Sequence, residues 1–166
     1  LAEAFFENGQ IEESLKTCDD LIASNRSDAS YFMRKANIQF NCRDKIRTLK
    51  TALSKAPHDF RCYEELSTII VELLRSHIPT EERLSNIKDL RDCCDKGIQA
   101  NPYFGNDCWR NKFQACLLLK EEYAPNWESV CKDVLEKIRL QSPESASLMS
   151  MELDLLTKAS ENGKQR

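Results

Sequence analysis

Apolar residues recur along the chain at intervals of three and four, most clearly at Leu66, Ile69, Ile70, Leu73 and Leu74, and no segment keeps a strict apolar-polar alternation. That period places them on one face of a helix, so the pattern predicts an all-α chain. Breaks in the pattern predict helices near residues 1–8, 10–24, 28–41, 43–56, 59–76, 80–100, 104–122, 126–141 and 144–160. Gly9 separates the first two. Pro79-Thr80 and Pro125-Asn126 each supply a stop followed by an N-capping side chain, and Glu81 and Glu82 then complement the dipole of a first turn. The links are short, which predicts antiparallel pairs.

Composition agrees with this reading. Four glycines and five prolines among 166 residues leave long stretches of good helix formers, and 41% hydrophobic with 31% charged content is enough to build a core. No apolar run reaches the ~18 residues of a membrane span, so membrane insertion is not expected. Residue 1 is Leu rather than Met, and we expect a segment of a longer protein that forms a single repeat domain over 1–166.

One string returns. "KTALSKAPHD" at 50–59 is echoed by "KGIQANPYF" at 96–104 and "EKIRLQSPES" at 136–145. Aligned on the prolines, the copies are Leu49, Ala52, Leu53, Pro57; Cys94, Gly97, Ile98, Pro102; and Leu135, Ile138, Arg139, Pro143, with an earlier copy at Cys18, Leu21, Ile22, Arg26. Stacked helix pairs must present the same knobs and turn at the same point, and equivalent residues then reappear at each pair's end. The pattern resembles the tetratricopeptide (TPR) repeat, and Tyr63, Leu66, Ser67 and Ile70 are similar to its first helix. Leu1, Ala2 and Phe5 followed by "ENGQIEESL" resemble the end of such a helix and its turn. Departures accompany the matches: the repeat ends are spaced 31, 45 and 41 residues apart, Lys35 takes a normally apolar position, and Trp109, Phe113 and Cys116 fit only after a one-residue slip. The resemblance implies a right-handed α-solenoid with units over 1–26, 27–57, 58–102 and 103–143, two lengthened helices in the third, and a further helix at 144–160. Armadillo, HEAT-type and half-repeat helical pairs are the alternatives.

Eight cysteines could signal disulfides, metal or catalysis. No CxxC pair occurs, and adjacent Cys93 and Cys94 are poorly placed to share one ion. Cys18 and Cys94 sit where other repeats carry Leu49 and Leu135, and Cys116 lies on an apolar face, so we expect free buried thiols, hence a reducing intracellular compartment, cytoplasmic or nuclear. His58 and His77 fall at a turn and a helix end, where exposure is the expectation. No phosphate loop, GxSxG elbow or HExxH is present. We expect no catalytic residue, metal or cofactor.

Charge is distributed unevenly. Residues 1–28 carry seven acids and two bases, whereas 29–58 carry one acid and seven bases, chiefly Arg43, Lys45, Arg47, Lys50 and Lys55 on one helix. These could attract the neighbouring repeat or form a basic patch for an acidic peptide or, less in keeping with a net charge of −3, nucleic acid. The TPR resemblance implies a concave groove for a partner peptide or helix, with Arg34, Asn37, Arg61, Glu65, Thr68, Arg110 and Gln114 facing it. The three arginines would suit carboxylates. Glu65 stands where the family's clamp for acidic chaperone tails needs a base. At the C-terminal end, Leu148, Met151 and Leu155 supply one apolar stripe, and Met149, Leu153 and Leu156 a second, a candidate interface for another molecule or for self-association. The expectation is a non-catalytic interaction scaffold or regulatory segment; a nucleic-acid-binding repeat module and a non-catalytic enzyme subunit are the alternatives.

Overall fold

The computed structural model describes residues 2–25, 28–103, 107–141, 143 and 146–163. Leu1, the repeat-ending Arg26 and the expected helix starts at 104 and 144 lie outside these residues. Among the described residues there is no strand. The helices are α1 (Ala2–Glu7), α2 (Ile11–Ser24), α3 (Ala29–Ile38), α4 (Cys42–Lys55), α5 (Phe60–Arg75), α6 (Thr80–Ala100), α7 (Asp107–Leu119), α8 (Trp127–Gln141) and α9 (Ala146–Gly163). Each packs on its chain neighbours, and α5 also packs on α7, giving a solenoid of antiparallel pairs.

Local chemistry sets most of the ends. Gly9 adopts a φ of 75°, which glycine allows without strain, and its N–H and that of Gln10 close α1 by donating to Phe6 and Phe5 carbonyls at 2.9 and 2.8 Å. Asp28, Asn41 and Asp59 cap α3, α4 and α5, each accepting from the backbone N–H two residues on. Thr80 does not act as the expected cap. The helix already includes it, Pro79 stands at the N-cap position, and no side chain closes the turn. The expected helix over 104–122 is also interrupted: α7 ends at Leu119 and a 3₁₀ turn covers Lys120–Glu122, because Lys120 takes a left-handed φ of 44°.

Burial follows the repeat positions. Cys18, Leu49, Ala52, Cys94 and Cys116 are fully enclosed, and α5 is the most embedded helix, with nine buried residues from Cys62 to Leu74. Each fully buried Leu or Ile contributes about 1.5–3 kcal/mol. Residues that depart from the repeat pattern have physical explanations. Lys35 is only partly exposed and its ammonium meets Asp19 of α2 at 2.5 Å, so charge pairing replaces the usual apolar contact. Trp109 slips by one residue yet performs the task of Tyr63: the Tyr63 hydroxyl donates to Pro57 O at 3.0 Å, and Trp109 Nε1 to Pro102 O at 3.1 Å. Both first helices are thus tied to the proline that ends the preceding pair. Pro102 O uses its other lone pair for Gln141 Nε2 of α8, at 3.0 Å.

The tightest junction lies at Gly97. A Cβ there would overlap Cys108 Sγ and stand 2.9 Å from Tyr63 Cβ, so α5, α6 and α7 meet only because the side chain is absent. Gly97→Ala gains ~1 kcal/mol of helix propensity but forces the three helices apart, and a net loss of about 1–3 kcal/mol is expected from overpacking. Thermal or urea unfolding checks this, and Cys108→Ala in the same chain should return part of the loss by removing the overlapping sulfur.

Candidate functional site

The first helices of the pairs, α3, α5, α7 and α9, carry every residue expected to face the groove. Arg34, Asn37, Arg61 and Arg110 have accessible side chains, and Gln114 is half-buried. The arginines are not bare cations. Arg34 Nε lies 3.4 Å from Glu3, Arg61 holds Asp59 through Nε at 3.0 Å and Nη2 at 2.7 Å, and Arg110 pairs with Asp107. The Arg61 hydrogen bond keeps the Asp59 carboxyl below its usual range. Asp28, held down chiefly by its hydrogen bonds with Ser30, also feels Arg61 and Arg34. Carboxylates and guanidiniums therefore stand side by side in the first turns of α5 and α7 and at the middle of α3. The Arg34–Glu3 and Arg110–Asp107 pairs are exposed and worth about 0–1 kcal/mol, so an incoming carboxylate can exchange with them at little cost, whereas Asp59 is mostly buried and holds Arg61 with two bonds.

The seam between α5 and α7 is built from polar groups at one end and apolar groups at the other. Glu64 Oε1 accepts from Asp107 N at 3.0 Å, closing the N-terminus of α7 from a neighbouring helix; burial pushes this carboxyl up, against the opposing pull of Arg110. Asn111 Nδ2 donates to Ser67 Oγ at 2.7 Å and to Thr68 Oγ1 at 2.9 Å. Thr68, expected to face a partner, instead joins two helices. One helical turn farther on, Val71 and Leu74 of α5 meet Ala115 and Leu118 of α7 around a small pocket edged by Arg75 and Arg83. Arg83 is fixed by Leu74 O at 3.0 Å and Glu122 at 2.9 Å. Leu118 is 46% exposed. The sequence contained a signal for this pocket: three successive leucines, 117 to 119, span too wide an arc for one helix face to bury them all.

The basic helix α4 is largely spent on structure. Arg43 grips Glu82 with two bonds of 2.6 and 3.0 Å, Lys50 meets Asp89 at 2.5 Å, and Arg47 pairs with Asp44 at 2.7 Å. Attraction between repeats does operate, but α4 points its charge forward to α6. The acidic first unit is answered by Arg34 and Lys35 of α3. Lys45 and Lys55 make no ion pair with a described residue.

Seven of the eight thiols are buried and Cys42 is half-buried, all of them unpaired by disulfide. Cys93 Sγ donates to Tyr63 O at 3.2 Å. His58 and His77 are exposed, and among the described residues no three His, Cys, Asp or Glu side chains gather as a metal site requires. No described helix is long and apolar enough to cross a membrane. Met149, Leu153 and Leu156 are exposed on α9, while Leu148, Met151 and Leu155 are buried.

With this geometry the chain can be set beside known structures. MamA superposes with a TM-score of 0.50 at 9% identity, covering 99% of this chain and 97% of that one. A further MamA structure gives 0.52 at 8% identity, covering 98% and 90%. The fold is a TPR-like solenoid. TTC0263, a thermophilic TPR protein of Thermus thermophilus, is similar over 93% of this chain and 95% of its own at 16% identity, with a TM-score of 0.49. No protein-family model matches the chain, and no curated protein matches it. At these identities the likeness concerns the fold.

Burial gives the TPR-like core a pH signature. It pushes the Cys62 and Cys108 thiols up to about 12 and raises those of Cys93 and Cys94 as well. Cys131 is raised because it would lose its hydrogen bond to Cys116 and leave a charge in the core. The folded chain thus holds these protons more tightly than the unfolded one. Their contribution to stability is complete below the unfolded thiol range near 9 and is lost as pH rises from there toward 12. Melting temperature should fall across that window, less steeply in Cys108→Ala. In native protein near neutral pH a thiol reagent should label Cys42 first, and rapid labelling of six or more cysteines would contradict the buried assignment.

Proposed function

We propose that the chain is a non-catalytic interaction scaffold that docks a segment of another protein along the face of its first helices. The observation that carries this reading is the composition of that face. Arg34, Arg61 and Arg110 stand there with accessible guanidiniums, Asn37 and Gln114 beside them, and the seam continues into a pocket with Leu118 partly open to solvent. A partner segment that is polar and acidic over one stretch and apolar at the next fits this order. Binding consists of exchanging internal ion pairs for intermolecular ones and covering the pocket, with no covalent step. TPR-like solenoids are generally scaffolds, which agrees with this role, and the site residues are those named above.

The nucleic-acid reading has less support, since three of the five cations on α4 already hold carboxylates and an alternating charge pattern repels a polyanion as much as it attracts one.

Reversing Arg34, Arg61 and Arg110 together to Glu is expected to reduce partner capture by tenfold or more, with circular dichroism and melting temperature almost unchanged, because each residue is exposed. The control reverses Lys45 and Lys55 on α4 and should leave capture intact. A partner set unchanged by the first variant and lost with the second would move the docking face to α4.

A further inference from the structure

Residues that depart from the repeat pattern in the second unit converge on one hollow between α2, α3 and α4. Cys18, Leu49 and Cys94 are equivalent positions, so Asp19 of α2 corresponds to Lys50 of α4, and Asp44 of α4 to Asp89 of α6. Between α4 and α6 the pair is a salt bridge, Lys50 to Asp89 at 2.5 Å. Between α2 and α4 it is two carboxylates, which repel rather than bridge. The floor changes in the same direction. Aligned on Phe32 and Tyr63, Lys35 and Gln39 of α3 correspond to Leu66 and Ile70 of α5, and Thr48 of α4 corresponds to Cys93 of α6. In the later junction Leu66, Ile70 and Cys93 are buried, and Cys93 Sγ donates to Tyr63 O at 3.2 Å. In the earlier one their polar counterparts border an open hollow of about 530 Å³, floored by Ile22 and Phe32. That size lies within the ~300–1,000 Å³ of small-molecule sites.

We infer that this hollow is a binding site for a small zwitterion of the α-amino-acid class that carries an apolar side chain. The charge pattern selects the ligand. Asp19 and Asp44 border the hollow together with Lys35 and Arg47, two charges of each sign. A simple cation would meet Lys35 and Arg47, and a simple anion Asp19 and Asp44, whereas a zwitterion offers each pair its complement. The internal pairs leave capacity for it. Lys35 meets Asp19 at 2.5 Å and Arg47 meets Asp44 at 2.7 Å, yet both carboxylates stay open to solvent, each has a second oxygen, and both cations have further N–H groups. Gln39 Oε1 accepts from Thr48 Oγ1 at 2.9 Å, which leaves the Gln39 NH2 group unspent on any described residue. The ligand's ammonium takes the place beside Asp44 that Lys50 takes beside Asp89 in the next gap. Its carboxylate is held by Arg47 and the Gln39 amide, and its side chain rests on Ile22 and Phe32. An open polar junction forgoes apolar burial that the next unit keeps, and a local rule broken at several neighbouring positions at once is the mark of a functional site.

Amide NMR on the full 166-residue chain, titrated in turn with L-leucine, L-methionine and L-phenylalanine, tests this inference. At least one should give saturable shifts centred on Lys35, Thr48, Thr51 and the Gln39 side-chain NH2, with a Kd on the order of 10⁻³ M. The amide of that amino acid, which keeps only the cation, and its N-acetyl form, which keeps only the anion, should each bind at least tenfold more weakly. No shift at these positions with any of the three up to ~20 mM would overturn the inference, as would equal binding of either one-charge analogue. Lys35→Leu together with Gln39→Ile, the residues of the next unit, should keep or raise the melting temperature and weaken binding tenfold or more. Should that variant fail to fold, Asp44→Asn with Arg47→Gln removes one charge pair from the surface and should weaken binding by a similar factor at an unchanged melting temperature. Undiminished affinity in a folded variant of either kind would also overturn it.

Discussion

The fold depends on how closely a first helix can approach the second helix of the pair before it. At Gly97 that approach is complete: Cys108 of α7 and Tyr63 of α5 converge where any side chain would stand. Ala52 fills the equivalent place one pair earlier and is fully enclosed. Close approach brings the apolar stripes into contact. It also lets Tyr63 and Trp109 reach the carbonyls of Pro57 and Pro102, which fixes where each pair turns. Packing of this density contributes several kcal/mol per pair of helices, whereas the surface ion pairs contribute tenths. Charge therefore tunes the stack, and buried volume holds it.

That division explains how one face stays available. Because the thiols and aliphatic side chains hold α5, α6 and α7 together, Arg34, Arg61 and Arg110 keep accessible side chains and need no structural task beyond pairing with nearby acids. At the α5–α7 seam polarity enters the packed structure itself. There Asn111 is satisfied by Ser67 and Thr68, and Glu64 closes the first turn of α7. A buried amide with both its donors engaged selects one register of α7 against α5, since a slip would leave it unpaired. The order of groups along this face, charged and then apolar, follows from that register.

Much of this was legible in the sequence because it rests on local pattern. Helix positions followed from apolar period and from Gly9, and the enclosed cysteines followed from their coincidence with Leu49 and Leu135. What depended on the meeting of distant residues was not legible. The period shows that Lys50 is on a surface but not that Asp89 lies opposite it; nor does it show that Thr68 faces Asn111. Thr80 has the chemistry of a cap, yet Pro79 with its extended ψ took that position and left Thr80 inside the helix. Leu117, Leu118 and Leu119 are alike in the sequence, and only the placement of α5 and α6 decides which leucine is left outside.

Native-state hydrogen exchange, read helix by helix, addresses most directly the claim that interlocked packing around α5 holds the molecule together. Protection should be greatest in α5 and in the segments of α6 and α7 that face Gly97, opening there only with global unfolding, and should decline toward α1 and α2 at one end and α9 at the other. Raising the salt concentration should leave that ranking unchanged. Equal protection in α2 and α5, or a loss of α5 protection in high salt, would contradict the account and shift the stabilising role to the ion pairs.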